Sequence, residues 1–225
     1  MIYAENVFIC LAAPLIITLF LTRGDVRRFV LFFLLGMLTC LLAAHINKFI
    51  VVVSGAPGLA EMSMAETTIL LTPICEEFLK SLPLFFFIAV FSPPRGKIFP
   101  AALAIGLGFA MMENCCYLIE YGSEDMGYAL IRGFSSGIMH TICAALVGFG
   151  VSAVYHRGNV FAPSCVALIC TATTYHGLYN MLVSLDGWYS MIGYLAPLCT
   201  AGVILLVLHA ARGFLTRIAP WMYVE

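Results

Sequence analysis

Charge is scarce in this chain. Asp, Glu, Lys and Arg together make up 10% of its 225 residues against 62% hydrophobic residues, and the mean hydropathy is +1.01. That balance excludes a soluble domain and describes an integral membrane protein. The net charge is -1, and basic residues gather no further than Arg23, Arg27 and Arg28, so the footprint of a nucleic-acid partner is missing. There is no CxxC pair and no loop framework for disulfides. All nine cysteines lie in apolar segments and read as small core residues. The helical zinc pattern HExxH is absent too, so any metal site has to be assembled from separate segments. Finally, no basic stretch precedes the first apolar run and positive charges follow it, which predicts a retained helix rather than a signal peptide.

What the chain does have is apolar length. At about 20 apolar residues per crossing, seven spans are expected, near 2–21, 29–53, 66–91, 99–121, 128–155, 160–185 and 188–209. The predicted fold is an all-α polytopic transmembrane bundle forming one integral membrane domain over residues 1–225. Arg23, Arg27, Arg28, Arg95, Lys97, Arg157, Arg212 and Arg217 all fall on one side of it. The opposite loops hold Glu61, Glu124, Asp125 and Asp186 and no Lys or Arg. The positive-inside rule then puts the N-terminus outside and the C-terminus in the cytoplasm.

Local chemistry marks several boundaries. Ser63-Met-Ala-Glu66 is a capping-box pattern, and Pro100 suits a first helical turn. Pro14, Pro73, Pro83 and Pro197 lie inside spans, where each removes a backbone donor and is expected to kink the helix. Gly133-x-x-x-Gly137, with Ala102, Gly106 and Ala110, predicts close helix contacts. Trp188, Tyr189, Trp221 and Tyr223 suit the membrane interface.

The most informative residues are polar ones inside apolar spans. The third span carries Glu76, Glu77 and Lys80, the fourth Glu113 and Asn114, the fifth His140, and the sixth His176 and Asn180. An ionisable group in hydrocarbon costs about 2.5–3.5 kcal/mol or more, so the default reading of such residues is a functional site. At about 1.5 Å per residue from the outer helix ends, Glu76 lies about 15 Å deep, Glu113 about 12, His140 about 18 and His176 about 14. Four consecutive spans thus offer groups at one level, somewhat nearer the outer face. Lys80 stands i,i+4 from Glu76 and i,i+3 from Glu77, so it can neutralise one acid and leave the other free for chemistry. His176 and Asn180 share a helix face.

Two arrangements suit such a set. In one, Glu113, His140 and His176 hold a divalent metal, zinc being expected, while Glu76 or Glu77 activates its water. In the other, no metal is needed: Glu76 or Glu77 is the base, and His and Asn side chains polarise the scissile carbonyl. Both lead to peptide-bond hydrolysis.

At these residues the sequence resembles the PrsW family of intramembrane proteases, which are related to the CAAX-processing membrane endopeptidases. The family's EExxK pattern reads as Glu76-Glu77-Phe-Leu-Lys80, and its FxxxEN pattern as Phe109-Ala-Met-Met-Glu113-Asn114. A single histidine in the next span corresponds to His140, and the final HxxxD or HxxxN pattern reads as His176-Gly-Leu-Tyr-Asn180. The motifs run from Thr72 to Leu185, which places the catalytic core in about 66–185. The resemblance implies cleavage of a membrane-anchored protein of the anti-sigma-factor kind near the outer face of a bacterial cytoplasmic membrane. It also implies catalytic roles for Glu76, Glu77, Lys80, Asn114 and Asn180.

Blander readings compete with these. Buried acids and histidines also form ion pairs, Asn114 and Asn180 can join helices, Lys80 can simply balance the glutamates, and Phe109 reads as packing. His45, Lys48, His156 and His209 lie toward helix ends and read as interfacial. The rival class is a proton- or cation-coupled transporter, since membrane acids and histidines also build proton relays. Against it, no pair of similarly interrupted helices repeats in two halves of the chain. A seven-helix retinal protein is a weaker rival, because the last span has no Lys.

Overall fold

The computed structural model describes residues 4–54, 66–121 and 126–211. Among the described residues the chain is all-α. Its seven α-helices are α1 Ala4–Leu21, α2 Gly24–Ser54, α3 Thr72–Phe91, α4 Ile98–Tyr121, α5 Met126–Val154, α6 Gly158–Val183 and α7 Trp188–Ala210. A π-helical turn, Thr67–Leu71, leads into α3, and a 3-10 turn, Arg95–Lys97, leads into α4. Four stretches, Gly24–Val53, Arg95–Glu120, Ala129–Val154 and Trp188–Ala210, are long and apolar enough to cross a membrane. Helices α3 and α6 are outside that group. They carry Glu76, Glu77, Lys80, His176 and Asn180, the residues that make a span polar.

Helix α2 starts at Gly24 rather than near residue 29, where the apolar run begins. Gly24 has φ +62°, a left-handed turn that separates α2 from α1. The polar first turn is sustained by Asp25, which pairs with Arg28 at 2.6 Å and with Lys97 at 2.8 Å. At the same end Arg95 donates to the Ala153 carbonyl at 2.9 Å, so these basic residues share one end of the bundle.

Helix α5 runs through the middle and touches α3, α4, α6 and α7. It buries Met139, Cys143, Ala144, Val147 and Val151 there. Helices α2 and α4 approach backbone to backbone. A Cβ on Gly36 would collide with the Ile105 carbonyl, and one on Gly108 with the Phe33 carbonyl. Without a hydrophobic force between helices in lipid, such close approach is what holds them. The outside is the reverse of a soluble surface: Phe20, Phe49, Phe86, Val166 and Leu206 are all more than 60% exposed.

Several expectations change. Of the Gly133-x-x-x-Gly137 pair, only Gly137 meets a neighbour, Asn114; a Cβ on Gly133 would meet nothing within 4 Å. The cysteines are not all core. Cys40, Cys143 and Cys165 are buried, but Cys170 and Cys199 are exposed, which a nearly apolar thiol tolerates on an apolar exterior. Pro73 does not simply kink a helix: it follows the π turn, at the start of α3. The capping pattern at Ser63 and the residues Glu61, Glu124, Asp125, Arg212, Arg217, Trp221 and Tyr223 lie outside the described residues.

Candidate active site

Pro73 organises the approach to the site. In the π turn Thr72 N–H bonds to the Thr67 carbonyl, five residues back. The same register would pair the Thr68 carbonyl with the nitrogen of Pro73, which carries no hydrogen. The carbonyl so freed accepts a hydrogen bond from Asn180 Nδ2 on α6, at 3.1 Å. One turn earlier on α6, Gly177 lets the helices close: a Cβ there would stand 3.0 Å from the Ile69 carbonyl. Neighbouring helices re-satisfy backbone groups in this way inside membranes. The Asn180 amide is therefore engaged with main chain, next to the site rather than in it.

Beyond this turn α3 presents its two glutamates to different surroundings. Both are buried. Glu77 pairs with Lys80, and its Oε1 lies 2.9 Å from His176 Nδ1. Lys80 Nζ also lies 2.9 Å from His140 Nδ1 and 4.5 Å from the centre of the Phe109 ring. His140 Nε2 in turn lies 2.7 Å from Glu113 Oε2. That acid is further held by Ser136 Oγ and by Arg132, each at 3.1 Å. Glu76 stands apart from this chain of partners. Its Oε1 receives a long contact from Asn47 Nδ2 at 3.5 Å, and its Oε2 is buried without a hydrogen-bond partner.

These contacts assign the imidazole tautomers. Lys80 can only donate, so His140 Nδ1 accepts and Nε2–H donates to Glu113. The Glu77 carboxylate accepts from His176 Nδ1–H, which leaves the His176 Nε2 lone pair free. That lone pair lies 3.9 Å from Glu76 Oε2. The two imidazoles meet edge to face with centroids 4.9 Å apart.

Six of the sequence-nominated residues thus converge from α3, α4, α5 and α6: Glu76, Glu77, Lys80, Glu113, His140 and His176. Two asparagines do not join them. Asn114 turns toward α5, where its Nδ2 contacts the Gly133 carbonyl at 3.5 Å, and Asn180 is on the π turn. Phe109, expected to be packing, is buried against both Lys80 and the His140 ring.

Two residues escaped the sequence reading. Arg132 caps Glu113 and lies 3.7 Å from the centre of the Tyr117 ring. It stands within the apolar part of the fifth span, where an Arg is itself a signal of function. Asn47 lies in α2, which carries no motif.

A cavity of about 270 Å³ opens beside the cluster. Asn47, Lys48, Thr67, Thr68, Glu113 and Glu120 are among the residues that line it, and Glu76 forms part of its wall. Glu77, Lys80, His140 and His176 do not line it.

Ligand atoms of Glu76, His140 and His176 lie within 4.8 Å of one another, and all three residues are buried. A carboxylate with two imidazoles is a usual donor set for zinc, whose tetrahedral ligand atoms stand about 3.3 Å apart. His176 suits the role as it stands, with Glu77 fixing its other nitrogen. His140 suits it by releasing either Lys80 or Glu113. The residues present therefore fit a divalent metal.

An apolar helical bundle with a buried, metal-competent centre of acids and imidazoles is an integral membrane protein built for chemistry within the membrane. Residues 25–210 match the model of the PrsW family of intramembrane metalloproteases, and the chain belongs to that family. Neither a curated protein nor a solved structure matches it. Membership implies proteolysis, a membrane-embedded protein substrate and a lipid surrounding. The match extends past the motifs to include α2 and α7.

Proposed function

We propose that this chain hydrolyses a peptide bond of a membrane-anchored protein, of the anti-sigma-factor kind, near the outer face of a bacterial cytoplasmic membrane. Seven crossings with the N-terminus outside and the C-terminus in the cytoplasm suit this reading, because the cavity then opens toward the outer side. The observation that carries it is the asymmetry of the adjacent acids. Glu77 Oε1 is shared by Lys80 and His176, whereas Glu76 keeps a buried oxygen without a partner and forms part of the cavity wall.

Glu76 is then the base. It takes a proton from a water in the cavity, the water oxygen attacks the scissile carbonyl carbon, and the protonated Glu76 returns the proton to the leaving amine. Where a divalent metal, zinc by preference, is held by Glu76, His140 and His176, it would supply Lewis-acid polarisation of the water or carbonyl, and Glu76 would serve as a ligand in place of the base. Glu77 orients His176, Lys80 neutralises Glu77, and Glu113 with Arg132 orients His140 through Nε2, which leaves Nδ1 as the nitrogen that would exchange Lys80 for a metal. Asn114 and Asn180 act on helix packing and on the π turn. This moves Glu113 from metal ligand to orienting acid, and it extends the working unit beyond residues 66–185 to α2. The family match lends nothing to the transporter alternative.

The test compares new protein N-termini in membranes of cells expressing the wild type, Glu76→Gln or Glu77→Gln at equal levels. Termini near the outer ends of single-pass segments should appear with the wild type and vanish with Glu76→Gln. Identical profiles from wild type and Glu76→Gln would refute the protease reading. Zinc content of the purified variants separates the ligand sets: Glu76→Gln should lose metal with His140→Ala and His176→Ala, and Glu113→Gln should retain it.

A further inference from the structure

One cavity-lining side chain reaches Glu76 from outside the motifs. Asn47 comes from α2, far in sequence from every motif, yet it is the residue that contacts Glu76. Its Nδ2 lies 3.5 Å from Glu76 Oε1, and its Oδ1 is buried without a hydrogen-bond partner. The amide cannot be turned over without cost, since that would set its oxygen against a carboxylate oxygen. Among the described residues that line the cavity, two side chains hold a buried oxygen of this kind, Glu76 Oε2 and Asn47 Oδ1. One is an acid fit to handle water. The other is a neutral acceptor beside it, bonded to nothing.

A peptide cut inside a membrane must first be extended, and its main-chain N–H groups then lose their helical acceptors where water is scarce. An acceptor on the enzyme beside the water-activating acid meets that need. It also fixes the scissile carbonyl relative to Glu76, since both contacts pass through one rigid amide.

We propose that Asn47 is a substrate-binding residue of this site: its Oδ1 accepts a hydrogen bond from a main-chain N–H of the extended peptide in the cavity while its Nδ2–H holds Glu76. The ligand class is an unwound peptide segment flanking the cleaved bond. The proposal rests on the protease reading and adds to it one contact and one orientation.

The test pairs enzyme variants with substrate variants. A synthetic single-pass peptide is built on a cleavage site that the wild type generates. Each peptide N–H near the cut is then replaced, one at a time, by an ester oxygen. With the wild type, one position should lower kcat/KM about tenfold, the effect of one lost hydrogen bond of about 1.4 kcal/mol. With Asn47→Ala, overall kcat/KM should fall and that same ester should cost nothing further. Asn47→Asp keeps an acceptor oxygen but sets a second one against Glu76. It should therefore stay sensitive to that ester, with its main loss in kcat. Equal ester sensitivity at every position in the wild type and Asn47→Ala would overturn the proposal and leave the protease reading intact. Absence of any cleavage by the folded wild type would overturn the protease reading, and this one with it.

Discussion

Glu76 and Glu77 are chemically identical neighbours, yet they belong to two different halves of the site. In one half, Glu77, Lys80, His140, Glu113 and Arg132 form a continuous series in which each charged group has an opposite or hydrogen-bonding neighbour. On the cavity side, Glu76 and Asn47 share a single long contact and each keeps a buried oxygen unpaired. An unpaired buried polar atom costs about 1–3 kcal/mol. The contrast teaches where this fold concentrates rigidity and where it leaves bonding capacity for a reaction. The paired side holds the imidazoles still; the unpaired side leaves Glu76 and Asn47 each with an oxygen that has no partner.

The largest effect that sharpens this contrast is on activity. Glu76→Gln should lower the cleavage rate by about 10²–10⁴-fold, and with metal stripped from both proteins it should cost no thermal stability in detergent, because an amide tolerates that position without losing a pair. A stability loss equal to that of Glu77→Gln would break the distinction. Next comes Lys80→Met, which leaves Glu77 buried without its cation and should cost about 3–5 kcal/mol of stability. The double variant Glu77→Gln/Lys80→Met should recover part of that loss, and thermal unfolding of all three reads the coupling; simple additivity would argue against a tight pair. Arg132→Gln should be milder, about 2 kcal/mol, since the guanidinium lies at the edge of the cluster with 12% of its side chain exposed and Glu113 keeps His140 and Ser136. The smallest change is expected from Asn180→Ala, about 1 kcal/mol, with faster amide exchange confined to the π turn and the start of α3. Uniform exchange across the bundle would remove the clamp role.

Much of this was legible in the sequence because burying charge in hydrocarbon is costly enough to mark itself. Glu76, Glu77, Lys80, Glu113, His140 and His176 stood out in apolar spans, and their matching depths foretold that four helices would bring them together. Direction about the helix axis was not legible. Glu113 and Asn114 are adjacent, and a turn of about 100° per residue sends one to His140 and the other to α5. The choice between Glu76 and Glu77 depended on the π turn, which an in-span proline signals only as some interruption. Arg132 lies inside a span, where the loop-by-loop balance of charge does not register it. Asn47, a neutral amide on a helix without a motif, carries no signal of its own; only its place beside Glu76 gives it meaning. Helix α2 began early because an ion pair at its end outweighs the lack of apolar residues there.

The π turn at Thr67–Leu71 has a consequence for the phase of everything that follows it. A π turn advances less about the axis per residue than an α turn, and over five residues the shortfall is about one α-helical residue. If this segment were rewound as α-helix with Thr67 and Thr68 kept against α6, α3 would rotate forward by that amount. Glu76 would point where Glu77 now points, and Cys75 would face the cavity with a thiol in place of a carboxylate. The acid that meets the cavity is therefore chosen by helical phase. Pro73 and Asn180, which act on the turn itself, hold the setting.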